Sequence, residues 1–255
     1  MSKTEDTQER FIEQSVLEHL NELRKRTTWA AVALIIGTVI SFIFAQDLLL
    51  FLLRPYDAQL QTLRPTEGIE TFFKVALVSG FIVSMPVILY QFWLFIAPGL
   101  TKKERRYVYL FIPAALSLFL LGILFAWFVL VPAAVAFLSS FMPEVFRTEW
   151  TGQEYISFIL AMLFWLGASF QMPVIIYLLS IVGLVNGPML RDQWRVAVVG
   201  VAVLAAAITP SIDPVTMLLT MAPLLVLYFL SIGLAYIGYR RFERSMAIEN
   251  DQTSD

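Results

Sequence analysis

Long apolar runs alternate with short polar ones along this chain. Six stretches carry no charged residue: Thr27–Gln46, Val75–Thr101, Tyr107–Pro143, Tyr155–Leu190, Val196–Ile212 and Pro214–Tyr239. A membrane-spanning helix needs about 20 largely apolar residues, because the hydrocarbon core is about 30 Å thick. The runs therefore predict six transmembrane helices. The third and fourth are too long for one perpendicular helix and too short for two, which predicts tilted helices that extend past the bilayer. The fifth is the shortest. Only Thr209-Pro-Ser-Ile-Asp213-Pro separates the fifth from the sixth, and this reads as a tight turn because proline cannot continue a helix ladder. The runs are continuous, whereas barrel strands alternate apolar and polar residues in segments of about ten, which argues against an outer-membrane barrel.

Ahead of the first run, Ile12, Val16, Leu20 and Leu23 fall on one helical face, with Glu13, Glu18, Glu22 and Arg26 elsewhere. This pattern predicts a short amphipathic helix on the membrane surface, leading into the first span. The polar stretch is too extended for the first region of a cleaved signal peptide. The chain divides into a 1–26 segment carrying that helix, a six-helix domain over 27–239, and a polar tail over 240–255 expected to be disordered. The connections Asp47–Lys74 and Phe141–Glu154 are longer and are expected to form small caps with some helix. Pro86, Pro113, Pro132, Pro173 and Pro223 interrupt the spans, and each removes a helix hydrogen bond and favours a kink. The predicted fold class is an all-α polytopic membrane protein of six transmembrane helices, several Pro-kinked, forming a curved, concave scaffold.

Composition narrows the function. The chain of 255 residues is 58% hydrophobic and 15% charged, with a mean hydropathy of +0.74. An ordinary soluble domain is about 45–50% apolar and about 25% charged. The balance also excludes a disordered chain, which needs low hydrophobicity and high charge. The absence of cysteine excludes disulfides and thiolate chemistry, and a single histidine excludes a multi-histidine metal cage. A net charge of −2 gives no sign of a nucleic-acid partner. No cofactor is implied.

The distribution of charge says more than its total. With the N-terminus on one side, that side carries Lys3, Arg10 and Arg24 to Arg26, then Lys102, Lys103, Arg105 and Arg106. It also carries Arg191 and Arg195, then Arg240, Arg241 and Arg244, making 14 of the 18 basic residues. Cytoplasmic loops carry the excess of Lys and Arg. Both termini are expected to be cytoplasmic.

Enzyme signatures fail. Gly167-Ala-Ser-Phe170 resembles the Gly-x-Ser start of an intramembrane serine protease, but a serine nucleophile needs a base within reach. The only histidine, His19, precedes the first span. Small residues that let helices pack closely account for the motif. Ion-coupled transporters place ionisable groups near the midplane, where they are costly and functional. Here the nearest candidates are Lys74, Gln171 and Asp213, at or between helix ends apart from the uncharged Gln171. Gln171 has two readings, an interhelical hydrogen bond or a polar patch offered to a partner helix. A secondary transporter or channel for a small solute stands as the alternative function.

Two cytoplasmic segments hold the candidate chemistry. Glu22 and Glu104 are acids among bases. Local structure offers an explanation for each: Glu22 with Arg26 at i,i+4, and Glu104 three residues after Thr101, a capping-box spacing. These segments carry a resemblance. His19-Leu-Asn-Glu22-Leu-Arg24-Lys-Arg26 is similar to the amino-terminal signature of the TatC family. Met85-Pro-Val-Ile-Leu-Tyr-Gln-Phe-Trp-Leu-Phe-Ile-Ala-Pro-Gly-Leu100, with Glu104-Arg-Arg106, resembles its second-helix and first-loop signature. Phe170-Gln-Met-Pro173 and Thr209-Pro-Ser-Ile-Asp213 match further family positions, so the resemblance covers roughly residues 11–242.

The resemblance implies the receptor subunit of the twin-arginine protein translocase in the bacterial inner membrane, which is not an enzyme. Such a subunit binds signal peptides with two adjacent arginines at the cytoplasmic face. It assembles with the single-span proteins TatA and TatB and with further copies of itself, and export of folded cargo draws on the proton-motive force. The family's signal-binding acids map onto Glu22 and Glu104. This suits the chemistry, since arginine presents a planar fork of donors matched to carboxylates. Arg24, Gln91, Phe95, Pro98 and Leu100 fall at supporting signature positions. Gln171 matches a position, often glutamate, that faces a membrane cavity and partner helices. Pro55 and Asp213 match external positions with structural or assembly roles, and Asp213 before Pro214 also reads as a helix cap.

Overall fold

The computed structural model describes residues 2–56, 60–96, 105–142, 144–145, 149–209 and 213–253, without the side chains of 2–18, 105–110, 245 and 247–253. Among these residues the regular elements are helices, joined by turns and short extended segments. α1 spans Ser2–Ile43, α2 Ala45–Leu52, α3 Glu67–Ile96 and α4 Arg105–Phe125. A π-helical turn, Ala126–Leu130, leads into α5 at Val131–Ser139. Then follow α6 (Gly152–Ser169), α7 (Met172–Ile181), α8 (Gly187–Asp192), α9 (Trp194–Ile208) and α10 (Pro214–Thr253).

Five helical stretches are long and apolar enough to cross a membrane: His19–Ile43, Glu67–Ile96, Phe111–Ser139, Gly152–Ile181 and Pro214–Arg244. The fifth apolar run forms α9, a helix of 15 residues. At 1.5 Å per residue α9 is only ~22 Å long, short of the full hydrocarbon thickness.

The two ends of the chain depart from expectation. The amphipathic segment does not form a separate surface helix. It is the first part of α1, which continues unbroken into the first span. No proline occurs in α1 and no glycine before Gly37, so nothing in the backbone ends the helix near residue 26. Where a disordered tail was expected, α10 runs on as helix to Thr253. Its last part contains Arg240, Arg241, Arg244, Glu243 and Glu249, which favour helix, and no glycine or proline after Gly238.

Prolines mark two interruptions. Pro132 follows the π-helical turn that joins α4 to α5, and Pro173 stands at the start of α7, just after a turn at Phe170–Gln171 separates it from α6. Pro86, Pro113 and Pro223 sit inside continuous helices. The fourth apolar run ends as helix at Ile181. Gly183, at a φ of +81°, turns the chain toward α8, a left-handed conformation that glycine adopts without a Cβ penalty.

α1 packs along α3, α6 lies against α3 and α4, and α10 packs on α7 and α9. α6 and α7 form the most enclosed span and α1 the least. A larger core gathers around α6, where Tyr155, Ile156, Ile159, Met162 and Leu166 are fully buried. A smaller one joins α3, α4 and α7 through Met85, Leu89, Trp93, Phe119 and Leu178. Ile35, Val39 and Ile43 of α1 and Val196, Val199 and Val203 of α9 are exposed. Bare apolar helix faces of this extent fit hydrocarbon rather than water.

Candidate functional site

The middle of α1, which carries His19–Arg26, and the last turns of α3, which carry Gln91 and Phe95, come together. Arg26 is the bridge. Its Nη2 donates to Glu22 Oε1 at 3.3 Å, the i,i+4 pair expected along one helix face. Its Nη1 donates to Gln91 Oε1 on α3 at 3.4 Å. The Nε of Arg26 is buried and meets no acceptor. One turn away, the His19 and Phe95 rings pack at 4.6 Å. Leu23, Arg26, Thr27, Ala30, Ile88, Gln91, Phe92 and Phe95 line a cavity of about 180 Å³ between the two helices.

This arrangement rests on close helix packing. A Cβ added to Gly80 would lie 2.5 Å from Thr38 Cα, so α3 approaches α1 backbone to backbone at this point. Ser84 Oγ is 2.7 Å from both the Ala33 carbonyl on α1 and the Gly80 carbonyl on its own helix. On its other side α3 is held by Trp93, fully buried and stacked on Phe111 of α4 at 5.1 Å. These contacts fix where Gln91 and Phe95 meet α1.

The sequence-derived positions are therefore distributed over three places. Glu22, Gln91 and Phe95 share the α1–α3 site, and Arg24 is exposed beside it on α1. Pro98, Leu100 and Glu104 lie outside the described residues. Gln171 is buried at the junction of α6 and α7, where its Nε2 donates to the Ala115 carbonyl of α4 at 3.0 Å. The structure thus shows the interhelical hydrogen bond among the readings of this residue. Ser169 Oγ donates to the Trp165 carbonyl of its own helix, and a Cβ on Gly167 would stand 2.9 Å from the Phe119 ring. The Gly-x-Ser pattern is helix packing.

Pro55 and Asp213 belong to helix ends. Pro55 follows α2 in a turn, next to Tyr56, whose ring packs on Tyr155 at 5.4 Å. Asp213 Oδ1 accepts the Thr216 N–H at 2.6 Å and so caps α10.

At the other end of α3 the two long connections form a single cap that the sequence pattern did not reveal. Gln61 and Thr151 form an isolated parallel bridge, with Gln61 N–H donating to Trp150 O at 3.1 Å and Gly152 N–H to Gln61 O at 2.9 Å. Glu67, only 2% exposed, organises it. Its Oε2 accepts from Leu63 N–H at 2.8 Å and its Oε1 from Gln153 N–H at 2.9 Å. Lys74 Nζ donates to Ser157 Oγ of α6 at 2.7 Å. A cavity of about 670 Å³ opens here, lined by Arg64, Glu67, Trp150 and Glu154 among others. Among the described residues no cluster of ligating side chains is arranged to hold a metal ion.

The fold defines a multi-pass helical membrane protein. The family model for the Sec-independent protein translocase protein TatC matches residues 18–223. The chain is 35% identical to the Sec-independent protein translocase protein TatC of Koribacter versatilis, covering 93% of this chain and 91% of that protein. It is 39% identical to the chloroplastic protein TATC of Arabidopsis thaliana, over 85% of this chain and 64% of that protein. A crystal structure of the twin-arginine translocase receptor TatC superposes with a TM-score of 0.79 at 36% identity, covering 86% of this chain and 99% of that one. The chain belongs to the TatC family of Sec-independent protein translocases.

Proposed function

We propose that this chain is the signal-peptide receptor of a twin-arginine translocase in a bacterial inner membrane. In this reading it crosses the membrane six times, α9 being the short crossing, with both termini cytoplasmic. It binds paired arginines through Glu22 and Glu104 and gathers TatA, TatB and further copies of itself into an exporting complex driven by the proton-motive force. The observation that carries the reading is the position of Glu22. The carboxylate is already engaged with a guanidinium at the face where 14 of 18 basic residues are expected to lie. A site that accommodates Arg26 has the charge and donor–acceptor pattern that an arginine-bearing peptide requires. Relatives occur in bacteria and in chloroplasts, and the charge bias of this chain supports cytoplasmic termini.

The test is crosslinking of a photoreactive twin-arginine signal peptide to the protein in native membranes. Capture at α1 around Glu22 and at the segment around Glu104 is expected. The Glu22→Gln, Glu104→Gln double variant should lose binding while remaining folded, and undiminished binding by it would overturn the site assignment.

A further inference from the structure

We infer that Arg26 is a built-in competitor for the incoming signal arginine, holding Glu22 in the unliganded protein and limiting how tightly the site binds. The inference rests on the signal-peptide reading of Glu22 and adds a residue to it.

The argument starts from chemical identity. The group that occupies Glu22 is a guanidinium, the same group a twin-arginine peptide brings. Arg26 makes one contact to each acceptor, at 3.3 Å to Glu22 and 3.4 Å to Gln91. Charge-assisted N–H···O bonds are usually about 2.7–2.9 Å, and an arginine–carboxylate pair is often bidentate. Arg26 achieves neither, and its Nε is buried without an acceptor. The resident arginine is held loosely. Its side chain is 24% exposed and that of Glu22 29% exposed, so solvent and a ligand reach the pair.

An incoming arginine that engages both oxygens of Glu22 meets Arg26 at one of them, and although that oxygen has a second lone pair, two guanidinium charges crowded on it repel each other. Binding therefore includes release of Arg26, and the free energy of the resident pair is subtracted from the affinity. Arg26 and Gln91 also stand together in the wall of the 180 Å³ cavity, so release widens the space beside the carboxylate. A partly exposed pair contributes about 0.2–1 kcal/mol, which sets the size of the effect.

The experiment uses the full chain in lipid nanodiscs and a fluorescent peptide with two adjacent arginines, with Kd read by anisotropy. Arg26→Gln should tighten binding by about 1.4- to fivefold. Lys25→Gln, which removes the same charge from an exposed neighbour outside the pair, should produce a smaller change. In a Glu22→Gln background the gain from Arg26→Gln should vanish, because no carboxylate is left to release. Arg26→Lys, which keeps the charge but lacks the planar fork that spans Glu22 and Gln91, should tighten binding less than Arg26→Gln. It carries the test if the glutamine variant does not fold.

Unchanged or weaker binding by the Arg26 variants would overturn the inference, showing that Arg26 positions the site instead. So would a gain no larger than that of Lys25→Gln, or one that persists without Glu22. If Glu22→Gln itself binds as tightly as the parent, the signal-peptide reading of Glu22 fails, and the inference with it. A site that depends on Glu22 but is indifferent to Arg26 removes the inference alone.

Discussion

Glu67 Oε1 accepts the backbone N–H of Gln153 at 2.9 Å, joining residues 86 positions apart. The same carboxylate accepts from Leu63 N–H at 2.8 Å, so one side chain ties the first long connection to the start of α6. Glu67→Ala leaves these amides without their acceptor, and unpaired buried donors are costly. The expected result is a Tm several degrees lower for the purified protein in detergent, with a smaller loss for Glu67→Gln, which retains an acceptor oxygen. A Tm unchanged by Glu67→Ala would show that water replaces the carboxylate.

The Gln61–Thr151 bridge gives a second prediction. The chain contains no cysteine, so a Gln61→Cys, Thr151→Cys pair has no competing thiol. Mild oxidation should close an intramolecular disulfide, because residues facing each other across adjacent extended segments lie within disulfide reach. The readout is a faster-migrating band on a non-reducing gel that disappears with reductant. Failure to crosslink would mean that the two connections are not paired in the membrane.

The α1–α3 crossing yields a third. A Cβ on Gly80 would meet Thr38 Cα at 2.5 Å, and one on Gly37 would meet the Gly80 carbonyl oxygen at 2.6 Å. Gly80→Val therefore forces the helices apart, at a cost of about 1–3 kcal/mol for overpacking. Thermal unfolding should show the loss. Gly233, with open space around its Cβ position, should accept alanine without such a penalty.

Gln171 supplies the fourth. Its amide donates to the Ala115 carbonyl. Gln171→Leu removes an interhelical hydrogen bond, a change of about 0.6 kcal/mol on average in membrane proteins. Gln171→Glu should be more damaging, because an ionised carboxylate has no proton to donate and would face that carbonyl oxygen. Denaturation of the two variants side by side separates the cases. Greater stability for the glutamate variant would show that the site offers a donor to the carboxylate besides the Ala115 carbonyl acceptor.

Much of this was legible in the sequence, and what was not depends on distant partners. Continuous apolar runs located the spans because a lipid-facing helix must be apolar along its whole length. The run Val75–Thr101 nevertheless missed the first two turns of α3. Glu67, Glu70 and Lys74 make that stretch look like a loop, yet Glu67 is satisfied by backbone amides and Lys74 by Ser157. Likewise the Glu22–Arg26 pair followed from i,i+4 spacing, whereas the bond from Arg26 to Gln91 spans 65 positions and requires the fold. Pro173 marked the break between α6 and α7, but the two turn residues before it carry no comparable signal. At the start of α1 the helix was legible from its apolar face but its continuity with the first span was not, and at the end of α10 polarity hid a helix that no glycine or proline interrupts.

The contact at Gly80 has a mechanical meaning. Two rods that touch backbone to backbone at one place have a fulcrum there. Gln91 lies eleven residues to one side of Gly80, a lever arm of ~16 Å along the helix, and Phe73 lies seven to the other, ~10 Å away. Phe73 meets Phe42 of α1 at 5.4 Å between ring centres. Unless the rods bend, any peptide that pries Glu22 of α1 from α3 must press Phe42 toward Phe73, carrying the event at one end of the helix pair to the other.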